Sequence, residues 1–91
     1  MAKSRIHKSK DYCYLCGKAT TLEEHHIFNG FGLRSHSDED GLTCYLCHSC
    51  HENVHLNASL RMYLKELGQK TFEREIGTRD QFIKRYHKNY L

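Results

Sequence analysis

The chain has no proline and no tryptophan, and only 38% of its 91 residues are apolar. No run of apolar residues is long enough to cross a bilayer, so no membrane span is expected. Internal repeats and low-complexity linkers are also missing, which leaves one small domain. A core of this size is only marginally stabilising by itself. An added staple, either disulfides or a structural metal, is therefore expected. No apolar signal segment precedes the cysteines, because the opening residues, MAKSRIHKSKD, are basic and polar. Five cysteines, an odd number arranged as C-x-x-C pairs, read as metal ligands rather than disulfides in an unexported chain. The expectation is a cytoplasmic protein with reduced thiols.

The excess of one charge sign over the other is small: the formal net charge is +3. It is unevenly placed, with Lys3, Arg5, Lys8 and Lys10 crowding the first ten residues and Arg79, Lys84, Arg85 and Lys88 the last thirteen. Asp38, Glu39 and Asp40 form one acidic patch between them. Basic ends suit contact with phosphate backbones, and equally suit a solvated tail.

Residues 1–11 read as a flexible basic arm, 12–56 as the core, and 57–91 as a helical extension. CYLCGK, residues 13–18, has the form of a zinc knuckle, a C-x-x-C turn closed by Gly17. TLEEHHIF, 21–28, reads as a strand, and LTCYL, 42–46, as a second strand antiparallel to it. Between them NGFGLRSHSDEDG, 29–41, carries three glycines with Asn, Ser and Asp, and reads as a loop. The pattern turns helical from Ser49, with His51 to His55 forming one turn. Asn57 is placed to cap a longer helix with Leu60, Leu64, Leu67 and Ile76 at helical spacing, closed by Gly77. Thr78 and Gln81 form a capping box for a last helix with Phe82, Ile83 and Tyr86 as its apolar side.

Cys13-x-x-Cys16 and Cys47-x-x-Cys50 can each present two thiolates to one ion, and together they close a tetrahedral zinc shell. Cys44 and Cys47 share the same spacing, but Cys44 falls in mid-strand where a knuckle needs a turn. A closed four-thiolate shell frees the histidines for another task. His51 and His55, four apart on a helix, lie on one face and can grip one ion. His25 and His26 sit on the strand that pairs with the one leading into that helix. Adjacent strand residues point to opposite faces, so one ligand and one non-ligand is the natural division. Three imidazoles keep a coordination position open, the mark of a catalytic metal. The spare histidine can serve as general base beside it. A metal with a base is equipment for hydrolysing a phosphodiester.

These residues, CYLC, EEHHIF and GLTCYLCHSCHENVH, resemble the HNH endonucleases, the ββα-metal nucleases, in their zinc-knuckle form. The whole chain, down to FEREIGTRDQFIKRYHKNYL, resembles small HNH-like proteins of phages and prophages. The resemblance implies an α+β chain, a ββα-metal core over residues 12–56 stapled by zinc, with additional C-terminal helices. It also implies cleavage of DNA with a single divalent ion. By its pattern His26 activates water, His25 helps hold the metal, and His51 and His55 supply the remaining ligands. His51 stands where many members have asparagine, so it is either a ligand or an orienting group. The proline that often follows the first histidine is missing. Imidazole ligands suit Zn, Ni, Co or Mn better than Mg. Arg34 and the terminal bases Lys3, Arg5, Lys8 and Lys10 are candidate contacts to double-stranded DNA. The competing reading is a non-catalytic zinc module that binds DNA or a protein. In a variant with RNA as substrate, Tyr12, Tyr14 and Tyr45 would stack on bases rather than pack around the knuckle.

Overall fold

The computed structural model describes residues 4–30 and 32–91. Two strands and four helices follow in the order β1 (Leu22–His26), α1 (Leu33–Asp40), β2 (Thr43–Cys47), α2 (His48–Leu56), α3 (Ala58–Glu75) and α4 (Arg79–Tyr86). The chain is therefore α+β. β1 and β2 pair antiparallel, with Leu22 opposite Cys47 and His26 opposite Thr43. Cys44 and Leu46 of β2 are fully buried, as is Val54 on the side of α2 that packs on the sheet. No helix of the described residues is long and apolar enough to cross a membrane.

The segment expected to be a loop contains α1, an eight-residue helix of LRSHSDED. Ser, His and Asp are poor helix formers, which hid it from the pattern. Tertiary bonds override that preference. The buried Ser37 hydroxyl accepts from Phe28 N (3.0 Å) and donates to Phe28 O (2.7 Å), tying α1 to the end of β1. Gly32 and Gly41 bracket the helix in left-handed conformations, φ 74° and 70°, which a side chain would strain.

The arm expected to be flexible is docked over its described part. Ser4 Oγ donates to Thr43 O, Arg5 N donates to Gly41 O at 2.8 Å, and His7 Nδ1 accepts from Tyr45 N at 3.1 Å. Tyr14 N also donates to Tyr45 O (2.9 Å). These bonds run along the edge of β2 that β1 does not cover, where bare backbone groups would otherwise invite another strand. Tyr12, Tyr14 and Tyr45 surround the buried His7 ring, with centroids 5.0–5.7 Å away. Burial lowers the pKa of His7 below that of a free histidine.

α3 and α4 close over the opposite end. Both expected caps form: Asn57 Oδ1 accepts from Leu60 N, and Thr78 with Gln81 makes the reciprocal capping box. The inward face of α3 is Leu64, Gly68, Gln69, Thr71 and Phe72, whereas Ile76 of the expected stripe is exposed. Gln69, buried though polar, accepts from Tyr90 N and donates to Asn89 Oδ1, so it pins the C-terminal strand of chain. Phe28, Phe72, Phe82 and Tyr86 pack ring on ring at 4.6–6.1 Å between α3, α4 and the end of β1.

Gly68 lets α3 approach that cluster, since a Cβ there would lie 2.8 Å from Phe28 Cε2 and 3.2 Å from Ile27 Cγ2. Gly68→Ala raises helix propensity by about 1 kcal/mol, but overpacking a buried ring costs about 1–3 kcal/mol. The substitution is expected to lower the melting temperature; a rise would mean that Phe28 moves freely.

Candidate metal centres

The first knuckle is a tight turn in which Gly17 N donates to Cys13 O (2.8 Å) and Cys13 N to Lys18 O (3.0 Å). Gly17 takes φ 76° there. The second cysteine pair lies on a strand-to-helix junction instead of a loop. Cys47 ends β2 and caps α2, and Cys50 follows in the first turn of that helix. The sulfurs of Cys13, Cys16, Cys47 and Cys50 all lie within 4.8 Å of one another. Cys16 Sγ and Cys47 Sγ are 3.7 Å apart. A zinc tetrahedron with bonds of about 2.3 Å has edges of about 3.8 Å, so the four cysteines fit a structural ion of this type. Burial raises the pKa of Cys13, but backbone hydrogen bonds from Cys47, Cys16 and Leu15 outweigh it and bring the thiol down to about 6. Burial and the neighbouring thiols push Cys50 up. Thiolates this crowded repel one another, and a divalent cation removes that repulsion. Cys44 stands apart, fully buried in β2, and burial raises its pKa to about 12.

His25, His51 and His55 form a second cluster with ring nitrogens within 4.8 Å. β1 supplies His25 from its buried face and α2 supplies the other two one turn apart. Burial, then the charges of His51 and His55, lowers the pKa of His25 to about 4, so it is a neutral ligand at neutral pH. His51 Nδ1 is 2.7 Å from Glu23 Oε1. A carboxylate only accepts, so Nδ1 carries the proton and Nε2 keeps its lone pair for an ion. That contact and one from His48 hold the Glu23 carboxyl below the usual carboxylate range. Arg61 from α3 donates to the carbonyls of Val54 (3.1 Å) and His55 (2.6 Å), fixing the end of α2 that carries His55. Glu23 and Arg61 were not singled out from the sequence. The i,i+2 spacing of Glu23 and His25 was the one available signal for the former.

His26 is not part of that cluster. It faces the opposite way, into an open cleft of about 490 Å³ lined by Glu24, Gly32, Arg34, Ser35 and Asp38. Arg34 and Asp38 are one turn apart on α1, so the unforeseen helix builds the far wall. Arg34 is exposed and has no hydrogen-bond or ion-pair partner among the described residues.

The remaining candidate bases are divided. Lys3 lies outside the described residues. Arg5 is committed to Asp40 O (2.9 Å) and Glu75 (3.4 Å). Lys8 and Lys10 are exposed, with Lys10 over the Tyr45 ring at 5.3 Å. At the other end, Arg79 pairs with Glu73 and Arg85 with Asp40 and Glu39. Tyr86 Oη also donates to Asp40 (2.6 Å), so the expected acidic patch is split between this latch and the cleft.

No protein family, curated protein or solved structure matches the chain.

Cys16→Ser is expected to release one zinc per chain and to unfold the domain or lower its melting temperature sharply, since the ion's binding energy is folding energy. Cys44→Val should leave zinc content and melting nearly unchanged, and zinc loss in that variant would reassign the ligands. Glu23→Ala should weaken divalent-metal binding at the histidine cluster by roughly 10–100-fold in a calorimetric titration, with the tight zinc retained.

Proposed function

We propose that the chain is a metal-dependent endonuclease of the HNH, ββα-metal kind that hydrolyses DNA phosphodiester bonds. The observation that carries this reading is the three-imidazole cluster adjoining a histidine, His26, that is not part of it. In this reading β1, β2 and α2 form the ββα-metal core, and the four cysteines staple it with zinc.

His26 accepts the proton of a water molecule as its oxygen attacks phosphorus, while the bond from phosphorus to the leaving oxygen breaks. Glu24 Oε1 and Asp38 Oδ1 lie 3.7 and 3.8 Å from His26 Nε2. Both are too far for hydrogen bonds, so Nε2 is free to take a proton. They are near enough to stabilise the imidazolium that results. Arg34, in the same cleft, holds the phosphate oxygens. A divalent ion held by His25, His51 and His55 would supply positive charge where the leaving oxygen develops negative charge. Neutral imidazoles favour Zn, Ni, Co or Mn over Mg in that place.

The test is supercoiled plasmid incubated with the purified chain across several divalent metals, with EDTA as control. His26→Ala is expected to cut cleavage by roughly 10²-fold or more, with metal binding at the three-histidine cluster retained. His55→Ala should lose both that metal and the activity, yet keep the structural zinc and the fold. Plasmid cleavage by His26→Ala at the wild-type rate would remove the catalytic assignment. No cleavage with any metal would leave a zinc-stabilised binding module.

A further inference from the structure

A third group of metal-ligating side chains lies apart from the thiol and three-histidine clusters. Oxygens of Glu24 and Asp38 and a ring nitrogen of His26 lie within 4.8 Å of one another. Glu24 and His26 are two apart on β1 and so share a face. Asp38 comes from α1, which Ser37 ties to the backbone of Phe28. The three are thus held by regular elements rather than by a loop. His26 Nε2 stands 3.7 Å from Glu24 and 3.8 Å from Asp38, whereas Glu23 closes on His51 to 2.7 Å. Donors arranged tetrahedrally at about 2.1 Å from a cation are about 3.4 Å apart, so a small inward movement would seat an ion. The cleft wall carries two carboxylates against the single guanidinium of Arg34, a net negative charge that favours a cation. Its opening admits water to complete the coordination.

We propose that Glu24, His26 and Asp38 form a third metal site that takes a borderline divalent cation such as Zn²⁺, and that filling it switches the nuclease off. The ion would engage the Nε2 lone pair that His26 needs to accept a proton. One imidazole with two part-exposed carboxylates binds zinc less tightly than four thiolates or three imidazoles. The site therefore fills last, when free zinc is in excess. The inhibitory half rests on His26 acting as general base; the binding half does not.

The test uses the full chain and Zn²⁺ alone as probe, with calorimetric titration and a count of bound metal after equilibrium dialysis. The wild type is expected to bind three equivalents in descending affinity. Asp38→Asn and Glu24→Gln should each weaken only the last class, by more than the roughly 10–100-fold typical of losing a supporting partner. His55→Ala should lose the middle class instead. Two equivalents in the wild type, or a third that survives in both carboxylate variants, would overturn the site. In plasmid cleavage, activity should fall as zinc passes two equivalents, and Asp38→Asn should move that fall to higher zinc by the same factor as its loss of affinity. A third ion that binds without suppressing cleavage would overturn the inhibition. Should no divalent ion support cleavage, the nuclease reading fails, and the metal count still decides the site.

Discussion

Four thiols drawn from two segments some thirty residues apart in sequence meet within 4.8 Å, and the geometry of the rest hangs on that meeting. Cys47 is at once the last residue of β2, the cap of α2 and a member of the cluster. Clamping it to the first knuckle fixes where the strand stops and where the helix starts. That start sets the direction of α2 and hence where His51 and His55 point. With a structural ion bound, this cluster would tie α2 to the sheet, beside the buried side chains of Leu46 and Val54.

From that anchor the pleat of β1 does the sorting. Glu23 and His25 lie on the face toward α2, where the carboxylate fixes the tautomer of His51 and the imidazole joins the three-histidine cluster. Glu24 and His26 lie on the face toward α1, beside Asp38 and Arg34. Four consecutive residues therefore serve two chemically different environments, one crowded and apolar enough to keep His25 neutral, the other open and wet.

The distribution of cations fits the same division. Arg5, Arg79 and Arg85 are spent on holding the arm and α4 in place through Glu75, Glu73, Glu39 and Asp40. Arg34 has no such duty, and it stands in the cleft with His26. A basic count over the whole sequence therefore overstates what is free to meet a phosphate backbone. The position of one arginine says more than a net charge of +3.

The sequence alone determined the features written in short-range chemistry. Two C-x-x-C pairs, the alternation that parts His25 from His26, the one-turn spacing of His51 and His55, and both helix caps follow from local geometry, and all are found in the fold. The ββα-metal identity and the nuclease chemistry drawn from resemblance stand as proposals. Tertiary structure alone decided the rest. α1 forms from residues with weak helical preference because Ser37 bonds the backbone of Phe28 and two glycines accept left-handed turns around it. The basic arm docks because the outer edge of β2 offers unpaired backbone groups that Ser4 and His7 satisfy. Gln69 is buried although polar, because the chain end returns to hydrogen-bond with it. Each of these depends on partners 9 to 39 residues away, a separation at which periodicity and propensity carry no information.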